Sequence, residues 1–171
     1  MIHLGYLLMA AQASLLAQGA GEYEIKAAFL YKFAGFVQWP DNPANSPVCI
    51  GVVGQDPFGP ALDEAVKGKK LNGRPFVVRR FRNGEAPPAC QIVFVSSSER
   101  LQLRLILNRL PPAVLTVGDM PGFCESGGII GFEVLDRRVH LQINLDAAQK
   151  ERLQISSKLL SLAKLVAGAI Q

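Results

Sequence analysis

The chain has 171 residues, of which 49% are hydrophobic, and a formal net charge of +4 at pH 7. This length suits one domain, and this hydrophobic content excludes an intrinsically disordered protein. The basic residues form no long run and accompany no recognition motif, so no nucleic-acid partner is predicted.

Residues 1–20 are predicted to be a signal peptide. They contain no charged side chain of Lys, Arg, Asp or Glu, and Leu4–Ala11 is an apolar run of the length found in signal peptides. Small residues at signal-peptidase spacing follow at Ala11–Ala13 and Ala17–Gly19. The basic residue that normally opens such a segment is missing, and a buried N-terminal helix is the alternative. The expected product is an exported single domain over residues 21–171.

Two helices and two strands are predicted between residues 23 and 81. Ile25, Phe29, Phe33 and Phe36 recur at helical spacing, with Lys26 and Lys32 elsewhere on the wheel, and this pattern predicts a helix over Tyr23–Gln38. Trp39-Pro40 ends the helix because proline disfavours a helical residue before it. The other elements are a buried strand over Cys49–Gly54, a helix over Phe58–Val66 and a strand over Pro75–Phe81.

Strands and helices continue to alternate in the second half. Cys90–Val95 is the third predicted strand, and Ser96 to Glu99 has the pattern of a capping box that opens a helix. A fourth strand over Ala113–Val117 and a hairpin of Ile129–Val134 with Arg138–Ile143 follow, with a Glu133–Arg138 pair as one interpretation. The tail is predicted to be helical, with an apolar face at Leu159, Leu162, Ala163 and Val166. This order predicts an α/β three-layer sandwich with a mixed, mostly parallel sheet.

Three cysteines, Cys49, Cys90 and Cys124, lack the spacing of a zinc site. Cys49 and Cys90 each stand at the start of an apolar strand. If the first and third strands are parallel neighbours, the two starts lie within disulfide range, and an exported protein would oxidise them. Two buried free thiols are the alternative. Cys124 is then either free or paired with a second subunit.

No nucleotide site, catalytic group, metal or cofactor is predicted. The glycines at Gly51, Gly54 and Gly59 do not match a phosphate-binding loop, and Gly54 and Gly59 are better explained as turn residues around Asp56-Pro57. His140 is the one histidine beyond the predicted signal peptide, so a nucleophilic triad has little support. Carboxylate pairs such as Asp119 with Glu125 stand in loops, where such residues are common.

Two groups of residues are candidates for binding. Gln55, Asp56, Ser96 and Asp119 follow predicted parallel strands, and α/β sheets bind ligands at the carboxyl ends of such strands. Trp39, Met120 and Phe123 are large apolar side chains at a helix end and in a loop. They are interpreted either as core residues or as contacts for a partner or second subunit.

Five segments resemble the YfiR-like family of small periplasmic proteins, and together they cover about 140 residues in one order. The segments are YKFAGFVQWP (Tyr31–Pro40), VCIGVVGQDPFGPAL (Val48–Leu62), CQIVFVSSSER (Cys90–Arg100), VLTVGDMPGFCESGGIIGF (Val114–Phe132) and INLDAAQKERLQISSKLLSLA (Ile143–Ala163).

The resemblance implies a periplasmic α/β protein that is not an enzyme and needs no cofactor. It implies a regulator that binds a membrane signalling protein, either a diguanylate cyclase or a sensor kinase. The best-known relative represses an inner-membrane diguanylate cyclase, and thereby cyclic-di-GMP signalling and biofilm, until an OmpA-like outer-membrane lipoprotein sequesters it. A homodimer is a further expectation, and a periplasmic small-ligand sensor is the alternative function.

The resemblance also implies two disulfides, of which this chain could form only one. The first matches Cys49 and Cys90. The second begins at a cysteine matching Cys124, but its partner position falls near Gly131, where no cysteine is present. A redox switch that depends on two disulfides is therefore not expected here.

Overall fold

The structure is a computed structural model and describes residues 19, 21–40, 46–82, 85, 87 and 90–168. Short strands and helices alternate along these residues. Helix α1 covers residues 21–33. It is followed by β1 (Val37–Gln38), β2 (Val48–Val53), α2 (Pro60–Val66), β3 (Lys70–Leu71) and β4 (Arg74–Phe81). The second half contains β5 (Ile92–Val95), the 3-10 helix η1 (Ser97–Gln102), α3 (Leu103–Arg109), β6 (Leu115–Gly118), β7 (Ile130–Leu135), β8 (Arg138–Ile143), α4 (Leu145–Lys150), β9 (Gln154–Ile155), α5 (Ser157–Leu160) and β10 (Ala163–Leu165).

Eight of these strands form one mixed sheet in the order β10-β8-β7-β6-β5-β2-β4-β3. Strands β4, β2, β5, β6 and β7 are parallel, whereas β8 is antiparallel to β7 and β3 is antiparallel to β4. The first and third predicted strands, now β2 and β5, are neighbours with Ile50 opposite Ile92. The predicted α/β fold with a mixed, mostly parallel sheet is confirmed.

The central strands are buried on both faces, so alternate residues of one strand enter two different hydrophobic clusters. Ile50 and Val52 of β2 face the larger cluster with α1 and α2. Cys49 and Val53 face the smaller cluster, where Leu103 and Ile106 of α3 cover the sheet. Helices thus pack on both faces of the sheet.

Helix α1 is shorter than the predicted span Tyr23–Gln38. After residue 33 the amides of Ala34, Gly35 and Phe36 bond to carbonyls three residues back, a tight turn that ends the helix. Val37 then pairs with Ile155 of β9 in a separate two-stranded sheet. The pairing partner lies more than a hundred residues away, so local spacing could not indicate the strand.

The predicted helical tail is also wrong in its last part. Helix α5 ends at Leu160, and β10 pairs in parallel with β8, with Ala163 opposite Leu141. Leu162, which the helical pattern placed on a buried face, is 66% exposed. Pairing to the free side of β8 satisfies backbone groups that a continued helix would have left open at that edge.

The predicted hairpin is confirmed as β7 and β8. Asp136 and Arg137 close it with positive φ angles of 49° and 61°, the combination that two-residue hairpin turns require. Glu133 does not pair with Arg138: it lies opposite His140, and its carboxylate accepts a hydrogen bond from Gln142.

The predicted signal peptide, residues 1–20, lies outside the described residues except for Gly19. Within the part of the chain that the structure describes, none of the helices has the length and apolar character needed to cross a bilayer.

Candidate functional site

The crevice at the carboxyl ends of β2 and β5 is filled by the protein's own side chains. The chain leaves these two neighbouring strands in opposite directions, towards β4 and β6, which is the arrangement that commonly creates a ligand crevice in α/β sheets. Here Ser98 Oγ accepts the N–H of Gln55 at 3.0 Å, and Glu99 is only 6% exposed. A Cβ on Gly54, whose φ is +91°, would lie 2.5 Å from Ser98 Oγ and 2.7 Å from Glu99 Cγ. A glycine is therefore needed for the loops to close on each other.

Asp56 and Ser96, two of the predicted ligand-binding residues, are already held by protein groups. Asp56 accepts the N–H of Phe58 at 2.8 Å and pairs with Arg80 at 2.6 Å. Hydrogen bonding to Asp63, aided by Asp56, raises the pKa of Arg80 above its already high value despite partial desolvation. A ligand at Gln55, Asp56 or Ser96 would have to displace these contacts.

The predicted capping box is only half present. Ser96 is the N-cap of η1, and its hydroxyl accepts the N–H of Ser98 at 3.4 Å. Glu99 does not reach back to the backbone of Ser96, because that N–H is donated to the carbonyl of Val53. The carboxylate of Glu99 accepts instead from the hydroxyl of Ser98 at 3.0 Å. The element that follows begins as a 3-10 helix and becomes α-helical at Leu103.

Asp119, the fourth predicted ligand-binding residue, joins a buried polar cluster with helix α1. It follows β6 directly, and its carboxylate accepts hydrogen bonds from Tyr23 Oη at 2.7 Å and Lys26 Nζ at 2.9 Å. Lys26 also pairs with Glu22 one turn earlier on α1, at 2.5 Å. The sheet and α1 are thereby joined by charged groups as well as by apolar packing.

Burial makes this cluster electrostatically strong. The side chain of Lys26 is 3% exposed and that of Asp119 is 5% exposed, so water screens their attraction poorly. The ammonium also lies over the ring of Tyr23, 4.5 Å from its centre. Burial, and then the hydrogen bond to Asp119, raise the pKa of Tyr23 well above its usual range, so its hydroxyl stays protonated.

The cluster forms one wall of an open cleft with a volume of about 610 Å³. Residues from α1, η1, the loop after β6, the hairpin and β10 surround it. Beside the cluster they include Ser97, Met120, Glu125, Phe132, Glu133, Leu135, Gln142 and Lys164. The cleft combines acidic and basic side chains with apolar ones, a mixture that is common in binding sites.

Sequence patterns did not identify the residues of α1 in this cluster. The helical wheel placed Ile25 on the buried stripe and Lys26 away from it, but Ile25 is 50% exposed and Lys26 is buried. The buried positions on α1 are Lys26, Ala27, Leu30 and Phe33. Their spacing was present in the sequence, but a lysine is rarely assigned to a buried stripe unless its partner is known.

Met120 and Phe123 are core residues, so the interpretation that they meet a partner is corrected. They are 3% and 1% exposed and pack in the smaller cluster beside α3. The ring of Phe123 presses against Gly118 and Gly128, where added Cβ atoms would lie 2.5 Å and 2.1 Å from it. The loop after β6 is thus packed inward by its own apolar residues.

Trp39 packs against the larger cluster while remaining partly exposed. Its indole Nε1 is buried and has no hydrogen-bond partner among the residues that the structure describes. Its assignment as a partner contact stays a prediction.

The disulfide between Cys49 and Cys90 is confirmed, with an S–S distance of 2.09 Å and Cα atoms 4.6 Å apart. It joins the starts of the two neighbouring strands that the sequence placed abreast. Cys124 is a free, fully buried thiol, and burial raises its pKa to about 12. Pairing with a second subunit would require its loop to open. Its Sγ lies 3.2 Å from where a Cβ on Gly131 would be.

No group of three or more His, Cys, Asp or Glu side chains suited to a metal ion occurs within the described ranges. His140 is exposed on β8 opposite Glu133.

A family model described as YfiR/HmsC-like matches residues 23–164. The matched range begins within α1 and ends in β10, so it includes both the disulfide and the polar cluster around Asp119. No curated protein matches the chain.

Proposed function

The chain belongs to the YfiR/HmsC-like family, and from this premise we propose that it is a non-enzymatic regulator in the periplasm that binds a membrane signalling protein. The proposed partner is an inner-membrane diguanylate cyclase, which the protein represses through the cyclase's periplasmic sensor domain. The observation that carries this proposal is the family match over residues 23–164.

The disulfide supports a periplasmic location. Disulfides persist in oxidising compartments such as the bacterial periplasm and are rare in the reducing cytosol. The bond between Cys49 and Cys90 joins two strands at the centre of the sheet, and both cysteines are buried. The folded core of this protein therefore contains the oxidised form of this cysteine pair.

The occupied polar groups support a binding role. Asp119, Lys26 and Tyr23 bond to one another across α1 and β6. Ser96 caps a helix, and Asp56 pairs with Arg80. Each of these groups is engaged in a contact within the protein. We therefore expect the protein to bind its partner through its exposed surface.

The experiment is deletion of the gene in its host, followed by measurement of cyclic-di-GMP and biofilm. We expect both cyclic-di-GMP and biofilm to rise after deletion. The intact gene supplied in trans should return both to their wild-type levels. A matched gene lacking residues 1–20 tests the location, because its product would stay in the cytoplasm and fail to restore them. Unchanged cyclic-di-GMP after deletion would refute repression of a cyclase.

Two further partners belong to the proposal. An OmpA-like outer-membrane lipoprotein is the proposed antagonist, which relieves repression by sequestering the protein. A sensor kinase is the alternative membrane partner. Purification of the protein from detergent-solubilised membranes, with identification of the co-purifying protein, distinguishes a cyclase from a kinase.

A small-ligand sensor is the second candidate function, and the cleft beside Asp119 is the observation that favours it. The cleft lies at the carboxyl end of β6 and has room for a metabolite at about 610 Å³. A thermal-shift screen of periplasmic metabolites tests it. A ligand that stabilises the wild type but not Lys164→Met, a change on the cleft wall, would support this function, and a screen without hits would count against it.

A further inference from the structure

A second, smaller cavity lies near the amino end of β6, away from the cleft. Its volume is about 160 Å³, and helices α3 and α4 form two of its sides. The cavity exists because β6 and β7 pair only at Val117 with Ile130 and at Gly118 with Gly131. The strands diverge before that point, so the first half of β6 has no strand beside it on this side.

Thr116 bridges the gap between the diverging strands. Its side chain is buried, and its hydroxyl oxygen accepts the N–H of Ile129 at 3.0 Å. A hydroxyl also carries a proton to donate, and the described residues supply no acceptor for it. Thr116 lines the cavity, so it can offer a hydrogen-bond donor there.

The charged residues around this cavity leave a positive excess. Arg104 and Lys150 line it, and neither forms an ion pair with a described residue. The acidic residue on the wall, Glu151, is already used: its carboxylate accepts the N–H of Ala113 at 2.9 Å. That bond holds Ala113 at a φ of 61°, a conformation that alanine rarely adopts.

The rest of the wall carries the polar side chains of Asn108 and Ser126 and a group of apolar residues that includes Leu107, Leu110, Val114 and Ile129. The site therefore combines a buried hydroxyl donor and two cations with an apolar part of the wall. Ligand sites commonly combine apolar wall residues with polar groups that fix the orientation of the ligand.

We propose that this cavity binds a small organic monocarboxylate with an apolar body. The carboxylate accepts from Thr116 and pairs with Arg104 and Lys150, while the body contacts Leu107 and Val114. Size limits the ligand, because a cavity of about 150 Å³ accommodates benzene. The site is independent of the proposed repression of a cyclase and would give the regulator a metabolite input.

The test uses the purified protein and benzoate, with benzyl alcohol as a neutral analogue of similar shape. Isothermal titration calorimetry should detect saturable binding of benzoate and at least about tenfold weaker binding of benzyl alcohol, because charge-assisted hydrogen bonds are lost. Amide NMR shifts should be largest around Thr116 and Ile129.

Arg104→Met and Lys150→Met should each weaken benzoate binding about tenfold, the equivalent of one charge-assisted contact. Arg109→Met is the matched control, because Arg109 is an exposed arginine on α3 outside the cavity wall, and it should leave the affinity unchanged. Absence of saturable benzoate binding at millimolar concentration would overturn the proposal. Equal binding of benzyl alcohol, or unchanged affinity in both cavity variants, would do so as well.

Discussion

Lys26 can be buried because two carboxylates, those of Glu22 and Asp119, compensate its charge. Removing one partner of a buried ion pair costs about 3–5 kcal/mol, because the other charge is left in a poorly solvated site. Glu22 remains beside Lys26 when Asp119 is lost, so part of this cost is avoided.

We predict that Asp119→Ala lowers the free energy of unfolding by about 2 kcal/mol, somewhat less than for a fully broken pair. Urea denaturation of the purified protein measures this. Glu125→Ala removes an exposed carboxylate from the same loop and should change stability by less than about 0.5 kcal/mol. Equal effects of the two substitutions would mean that the buried pair contributes nothing specific.

Tyr23 gives the protein a dependence on alkaline pH. Its pKa is raised in the folded state by burial and by Asp119, so the folded protein keeps a proton that the unfolded chain loses above about pH 10. The stability linked to Tyr23 is complete below that pH and falls as the pH rises beyond it. Tyr23→Phe should remove this part of the decline, measured as unfolding free energy between about pH 9 and about pH 11. An identical decline in the variant would contradict the assignment.

Cys124 lies where a second disulfide could form if position 131 were cysteine. The Sγ atom of Cys124 is 3.2 Å from the Cβ that residue 131 would carry. This is close to the distance between one sulfur of a disulfide and the Cβ of the partner cysteine. Gly131→Cys should therefore oxidise with Cys124, so that a thiol assay on the denatured protein finds no free thiol where the wild type has one. Gly131→Ala is the control for the added Cβ. A persistent pair of free thiols in Gly131→Cys would show that the backbone cannot bring the two sulfurs together.

At the scale of elements, the disulfide connects β2 to β5 across a sequence separation of 41 residues. On the chain-entropy account, closing a loop of this length stabilises the fold by up to about 4 kcal/mol. We predict that the double variant Cys49→Ala/Cys90→Ala loses about 2–4 kcal/mol of unfolding free energy. Dithiothreitol should lower the wild type to a similar level and leave the double variant unchanged. Insensitivity of the wild type to reduction would contradict a structural role.

The central strands were predictable from sequence because each is a continuous apolar run, and burial on both faces requires such a run. β2 and β5 therefore appear close to their predicted bounds. The β7–β8 hairpin does so as well, because apolar and polar residues alternate along β8, with Val139, Leu141 and Ile143 as the apolar positions. β1, β9 and β10 have two or three residues each, and their pairing partners are distant in sequence. Their backbone conformation is decided by the partner strand and not by local spacing, which is why helices were predicted at Val37 and Ala163.

The candidate site was predictable in its location but not in its composition. The carboxyl ends of the parallel strands were the expected place, and Asp119 is there on the wall of a cleft. The neighbouring positions Gln55 and Ser96 are occupied by contacts between two loops. These contacts require a glycine at position 54, because a Cβ there would clash with Ser98 and Glu99. Sequence spacing contains no information on whether two loops meet, so the filled crevice could only be seen in the structure.

At the scale of the whole molecule, helices pack on both faces of the sheet, and many of the buried polar groups that the structure describes, such as Lys26 and Asp119, pair with one another. Regulation by such a protein would depend on its surface, through association with a membrane partner or with a second copy. Light scattering at several protein concentrations tests the expected homodimer, which should appear as twice the mass of the chain. A constant monomer mass would exclude a stable homodimer at those concentrations and leave the proposed membrane partner to be tested separately.

The most direct test of the central claim is binding to the periplasmic sensor domains of the host's inner-membrane diguanylate cyclases, measured by calorimetry with purified, oxidised protein. The account predicts saturable binding to at least one of these domains, and lower cyclic-di-GMP synthesis by that cyclase when the protein is present. Absence of binding to every such domain would contradict it.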